Sequence, residues 1–454
     1  MISSLGLVGS VALLIWLALR GINIILASLI CSLVVVLSNG LPVAESFMVS
    51  YASGPLGAFT FAGKFFLLFI AGALFGRLMG DSGAAASIAL SLARKLGAHR
   101  ALWITVLAAA LLTYGGVVVF VVMFAIYPLG LKLLQQSDIP KRLFCAALAL
   151  GSGTFTLTAL PGTPSIHNVI SSVKLGTDLF AGAWIGLAVG LLMFAFGMWY
   201  LESQRRLAET RGEHFELAPT DTMPDLHESE LPSWRLALIP LVVVIGTILL
   251  PRLSQIVAPD LSGPVGDVMN FARAQPIFWP SFALLLGSVS VFLLSWGRSG
   301  VLVNSAGAGT QEAILPLMNT AAVIGFGGVV VSTSGFQGFT EFLLSMDLPP
   351  MLSMFVSVSL VSAIVGSASG GLQIFMESMA ARYLEMGVDL EAFHRFATMA
   401  SGGLDSLPHS GAVVAMLTIT GLTHKQAYKD VGIITVVIPV ISILLVLLGY
   451  TLLQ

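Results

Sequence analysis

Thr158-Ala159-Leu160-Pro161-Gly162-Thr163-Pro164 interrupts a long apolar stretch in the first half of the chain, and Asp405-Ser406-Leu407-Pro408-His409-Ser410-Gly411 does the same in the second. Proline removes a backbone donor and ends or kinks a helix, so each stretch reads as a helix broken in mid-course. Upstream of each break stands a Gly-Gly tip between two apolar arms: Thr113-Tyr114-Gly115-Gly116 and Ser367-Ala368-Ser369-Gly370-Gly371. Broken helices in corresponding places of two halves mark the binding site of a secondary transporter. The physical reason is that irregular backbone inside a bilayer survives only where protein or a water-filled cavity satisfies its polar groups.

Composition agrees with a bilayer. Only 10% of the 454 residues are charged and 56% are hydrophobic, against about 25% charged in soluble domains. With a mean hydropathy of +0.95, the fold class expected is an all-α polytopic membrane protein. Residues 2–19 lack a basic leader, so they read as a retained first helix and not as a cleaved signal. Cys31 and Cys145 lie in apolar stretches and offer neither a disulfide framework nor a metal spacing. There is no phosphate-cradling Gly-Lys-Ser/Thr loop, no strand-helix context for a dinucleotide, and no basic patch with interleaved aromatics. An ATP-driven pump would therefore need a separate subunit, nothing suggests a dinucleotide enzyme or a nucleic-acid binder, and no cofactor or metal is expected. An intramembrane hydrolase using Ser406, His409 and Asp405 would leave the first break and both tips unexplained.

Ten apolar runs suit crossings of about 20 residues: 2–19, 22–38, 60–80, 142–172, 178–200, 235–250, 277–297, 311–334, 391–420 and 430–452. Segments 101–134 and 351–384 are different. Each would reach about 51 Å as a straight helix, too long for one crossing and too short for two, which predicts a re-entrant hairpin. Arg94, Lys95, Arg100, Lys132, Lys141 and Arg142 flank the first hairpin at both ends, placing them in the cytoplasm. Arg205, Arg206, Arg211, His424, Lys425 and Lys429 mark two further cytoplasmic segments, while the Lys- and Arg-free stretch 39–59 reads as an outside loop. Arg252 and Arg273 in an outer loop 251–276 run against that trend.

Both termini then lie outside, and the second hairpin enters from the side opposite to the first. The halves become inverted copies, 60–200 and 311–454, with 1–59 as N-terminal scaffold helices and 235–310 as connecting helices. Between them, 201–234 is a polar cytoplasmic linker. Its acidic 202–230 portion, punctuated by Pro219, Pro224 and Pro232, is expected to be solvated.

A broken helix offers free N–H groups where its second half starts and free C=O groups where its first half ends. The former favour an anion, the latter a cation or a proton carrier. The first half contributes Thr113, Gly115, Gly116, Thr158, Gly162, Thr163, Ser165, His167 and Asn168 to the expected substrate site. The second contributes Ser367, Ser369, Gly370, Gly371, Ser406 and Ser410. Hydroxyls and amides without a fixed Arg would bind a small hydroxylated carboxylate and still release it. The competing account for each hydroxyl is a bond back to its own helix. A carboxylate at the bilayer centre costs roughly 2.5–3.5 kcal/mol, so Asp405, beside His409, is expected to carry a proton or to orient that imidazole. Glu377 joins this proton-coupling set unless it pairs with Arg382. Lys64 and Arg77 are expected to snorkel to the interface.

The two break motifs, together with Thr113-Tyr114-Gly115-Gly116-Val117 and Ala125-Ile126-Tyr127-Pro128-Leu129, resemble the gluconate:proton symporter (GntP) family of the ion-transporter superfamily. That resemblance covers most of the chain. It implies proton-coupled uptake of gluconate, a related sugar acid or a short hydroxy acid across the cell membrane. It also implies a homodimer whose protomers divide into scaffold and transport regions. His167 stands where the family more usually has Gln, and a sodium-coupled carboxylate symporter is the nearest alternative.

Overall fold

The computed structural model describes residues 2–117, 119–217, 221, 231–258 and 261–452; among them there are helices and no strands. The first half runs α1 (Ile2–Leu19), α2 (Ile24–Asn39), α3 (Val43–Glu45), α4 (Ala58–Asp81), α5 (Ala84–Leu96), α6 (Ala101–Tyr114), α7 (Val119–Ser137), α8 (Lys141–Gly153), α9 (Ile166–Leu175) and α10 (Ala183–Arg211). The second runs α11 (Trp234–Val257), α12 (Gly263–Ala274), α13 (Phe278–Leu294), α14 (Ser299–Glu312), α15 (Ile314–Val331), α16 (Ser334–Ser345), α17 (Pro350–Val365), α18 (Ala368–Ser378), α19 (Ala380–Glu385), α20 (Leu390–Ser401), α21 (Gly411–Thr420), α22 (His424–Gly432) and α23 (Ile438–Leu452).

Local chemistry sets many of these ends. Asn23 caps α2 by accepting the Ile25 and Leu26 N–H groups, and Thr423 with Gln426 forms a reciprocal capping box on α22, each satisfying orphan donors. Large apolar side chains such as Leu37, Leu191, Trp199, Val242 and Leu293 point outward. Serines and threonines such as Ser28, Ser171, Ser357 and Thr398 are buried. An apolar exterior over a hydroxyl-bearing interior suits lipid as solvent.

Six helical segments among the described residues are long and apolar enough to span a membrane. The pair α12–α13, bent by 108°, makes a seventh candidate. α1, α2, α6, α17 and α21 are shorter apolar helices. Segments 101–134 and 351–384 each contain two helices that pack on one another, α6 on α7 and α17 on α18.

The packing of the first half recurs in the second. α1 lies on α2 as α11 lies on α13, and α6 on α8 as α17 on α20. α2 packs on α15 as α13 packs on α4, α1 on α16 as α11 on α5, and α7 on α21 as α18 on α9. In the last three pairs each half lends a helix to the other, so the halves interlock.

Three expectations are corrected. The stretch 39–59 is not a simple loop: α3 continues as a π-helical turn over Ser46–Ser53 that packs on α15. The loop 251–276 contains α12, begun by Pro264 in its first turn, where a missing N–H costs nothing. The described residues of the linker are docked, not freely solvated. α10 extends through it to Arg211, with Arg205 bonded to Glu202 and Glu209. Beyond it, Glu213 meets Arg142 at 2.8 Å and His214 meets Asp138 at 2.6 Å. Asp221 accepts from Lys141 Nζ and from the Tyr127 hydroxyl, both at 2.6 Å. Both charged side chains of that last pair are buried, so each is the other's compensation for lost water. Pro219 and Pro224 lie outside the described residues; the Pro232 carbonyl accepts from Ser87 Oγ at 2.6 Å.

Candidate functional site

The first break is a π-helical turn at Phe155–Ala159 after α8, an extended Leu160, a turn at Pro161-Gly162, and a fresh start at α9. Gly162 has φ +79°, the left-handed region that favours glycine, and its N–H donates to the Leu179 carbonyl at 2.9 Å. Ser165 caps α9 through the Asn168 N–H. The Asn168 side chain donates to the Thr163 and Leu179 carbonyls at 2.9 and 3.0 Å, and its oxygen meets His394 Nε2 at 2.8 Å. Asn168 is thus fully engaged in holding the break together. The Tyr114 hydroxyl donates to the Pro161 carbonyl at 3.0 Å, tying the first tip to the first break.

Sequence reasoning missed the charge at this place. Arg395, on α20, is entirely buried. Its Nε donates to the Ala181 carbonyl at 2.9 Å, its Nη2 to Leu179 and Ala181 at 3.0 and 2.8 Å, and its Nη1 reaches Ala159 at 3.4 Å. The sequence reading of the first break did not include this Arg. A guanidinium inside an apolar run was the available signal, since such a cation needs compensation.

The second break has the same outline with different chemistry. After α20 comes a 3-10 turn at Leu404–Ser406, an extended Leu407, and α21. Asp405 accepts from Ser406 Oγ at 3.1 Å and lies in a turn that packs on α18. That turn thereby joins break to tip. α22 covers the other side: Tyr428 donates to the Ser406 carbonyl at 3.1 Å and His424 Nε2 meets the Pro408 carbonyl at 2.8 Å. Ser410 precedes α21 without a side-chain capping bond.

His409 does not bond to Asp405. Its imidazole lies against Gly366 and the Ala363 backbone, and a Cβ on Gly366 would come within 2.7 Å of the ring. Gly366, at φ +65°, and Ser367 make the turn of the second tip. Gly370 and Gly371, expected at that turn, instead lie in the first turn of α18. There a Cβ on Gly371 would strike the Ser362 backbone at 2.4 Å. Ser367 caps α18 through the Gly370 N–H, and Ser369 is buried in the same turn.

The two breaks touch. A Cβ on Gly402 would meet the Thr158 methyl at 2.7 Å, and Ser171 bonds Thr398 at 2.7 Å between α9 and α20. Glu377 pairs with Lys174 at the end of α9, at 2.6 Å, and takes a bond from Gln373; Arg382 is not its partner. Thr158 Oγ1 bonds back to the Thr154 carbonyl at 3.3 Å, the competing account for a hydroxyl. Thr113 Oγ1, Thr163 Oγ1, His167 Nδ1, Ser362 Oγ and His409 Nε2 are buried without a hydrogen-bond partner. Such orphans are costly, and these five, of ten among the described residues, lie at the tips and breaks.

Residues 2–452 match the sequence profile of the GntP family permeases. The chain belongs to that family. The permease is 36% identical to the Bacillus subtilis transporter YxjC across 94% of both chains. It is 26% identical to the Escherichia coli inner membrane permease YgbN across 80% of each. In fold it resembles the Alcanivorax borkumensis YdaH transporter, with a TM-score of 0.54, 16% identity, and coverage of 87% of this chain and 86% of that one. The permease is accordingly a multi-pass membrane transporter.

Proposed function

We propose that this permease is a proton-coupled symporter of a small organic monocarboxylate, such as gluconate, a related sugar acid or a short hydroxy acid, working by alternating access. The observation that carries this reading is Asp405, an acid built into a helix break whose turn packs on the hairpin helix α18. A carboxylate at mid-membrane is costly while charged and cheap once protonated, so proton and substrate loading favour the same conformational step. The unpartnered Thr113, Thr163, His167, Ser362 and His409 atoms supply the hydrogen bonds for a hydroxylated anion. Glu377, paired with Lys174, bridges the halves at the end of α9 and opens or closes with the cycle.

The architecture assigned with this function has ten crossings, with α6–α7 and α17–α18 as re-entrant hairpins. The duplicated and inverted unit runs from α1 to α10 and from α11 to α23. It includes the helices first assigned to 1–59 and 235–310, because their packing recurs in the same pairs. The protein works in the cell membrane as a homodimer.

Uptake of labelled gluconate and 3-hydroxybutyrate into proteoliposomes, under separately imposed pH and sodium gradients, tests the reading. Proton-driven uptake that is lost in Asp405→Asn is expected. Uptake indifferent to the proton gradient would overturn the coupling, and no uptake of either acid would overturn the substrate class.

A further inference from the structure

We infer that the Arg395 guanidinium is the resident cation of the first break, filling the carbonyl cluster that would otherwise take a sodium ion. The inference rests on the transport reading above and adds which break can exchange positive charge. Its basis is the set of partners. Four donor contacts from Arg395 go to the backbone carbonyls of Ala159, Leu179 and Ala181, and none goes to a carboxylate. The two acids nearest in sequence or space have their own partners: Asp178 pairs with Arg252 at 3.0 Å, and Glu391 accepts the Gly182 N–H at 3.2 Å.

Ala159 closes the π-helical turn where the first break begins. Its carbonyl therefore belongs to the negative end of a helix half, the kind of place where broken-helix transporters coordinate sodium or a proton carrier. Backbone carbonyls converging on one point replace the hydration shell of an alkali ion; here a guanidinium does so permanently. Gly182 and Gly186 make room for it, since a Cβ at either would come within 2.7 and 3.0 Å of the Arg395 side chain. At the second break the carbonyl matching that of Ala159, on Ser406, accepts from Tyr428, the Pro408 carbonyl accepts from His424, and the charge beside them is the acid Asp405. One break thus holds a fixed cation and the other a group that can take up a proton.

The test is the cation response of the purified permease, which needs no substrate. Wild type should melt at the same temperature in sodium chloride and in choline chloride of equal ionic strength. Arg395→Gln should be destabilised, and sodium should restore it in a saturating manner by on the order of 2 °C or more. Arg395→Lys keeps a cation and should stay indifferent to sodium. A purely structural staple would lower melting equally in both salts, and that result overturns the inference. So would saturable sodium stabilisation of the wild type, which is readable even if Arg395→Gln does not fold. Failure to transport gluconate would leave all these readouts standing.

Discussion

The two breaks share a backbone plan and differ in what fills it. At the first, Arg395 and Asn168 occupy the loosened carbonyls, and the two nearby acids, Asp178 and Glu391, have partners of their own. At the second, Tyr428 and His424 take the carbonyls, Asp405 lies in a turn that packs on α18, and His409 keeps one nitrogen unpartnered. A broken helix sets out the same free backbone groups in both halves. Which side chain meets them decides what each break can hold.

The largest effect should come from aligned positions in the two breaks. Asp405→Asn is expected to lower uptake driven by a pH gradient roughly 100-fold, the equivalent of about 2.7 kcal/mol. Thr158→Val, at the matching place, should leave uptake within a few-fold, because that hydroxyl already serves its own helix. Equal losses at both would erase the distinction between the breaks.

Stability should divide the other way. Asn168→Leu strands the Thr163 carbonyl and His394 Nε2, with an expected cost of about 2–4 kcal/mol in melting experiments. Ser410→Ala, where α21 begins without a side-chain bond, should stay within about 0.5 kcal/mol.

The contact between the breaks can be probed by crowding it. Gly402→Ala pushes a methyl onto Thr158 and should cost about 1–3 kcal/mol, whereas Gly411→Ala meets nothing within 4 Å. Adding Thr158→Ser removes the struck methyl and should recover most of the loss, a coupling readable in a double-mutant cycle.

The smallest effect lies at the linker, away from both breaks. Asp138 holds the His214 imidazole above its ordinary value of 6.5 by hydrogen bonding, and the Phe215 N–H and His214 hold Asp138 below its ordinary 3.8. The raised His contributes below its unfolded value and is lost as pH rises through the folded one. The lowered Asp contributes above its unfolded value and is lost as pH falls. The pair is therefore at full strength between about 3.8 and 6.5. Amide protection factors across 212–217, with the intrinsic pH dependence of exchange removed, should fall as pH rises beyond that window. His214→Ala should abolish the dependence on the His limb and leave transport unchanged; an unaltered profile would remove the pair as the tether.

Some residues could be read before folding and some could not. Leu-Pro breaks, Gly tips and the long apolar runs were legible because each depends on a chain-local constraint: a missing donor, a positive φ, or the length needed to cross hydrocarbon. The second tip was misread by a few residues. Gly370-Gly371 looks like a turn, but these glycines serve close packing on Ser362 inside a helix, while Gly366 bends the chain. A glycine's sequence context does not tell those two uses apart.

The sequence by itself determined that the chain is a membrane-embedded helical protein with a break and a tip in each half, because composition and proline chemistry act locally. It also singled out Asp405 as the acid that demands a reason. Only the tertiary structure decided who meets whom. Arg395 and Ala181, Lys174 and Glu377, and Lys141 and Asp221 are 214, 203 and 80 residues apart in the chain. Interlocked halves bring such residues together, and no local rule records a partner that arrives from the other half.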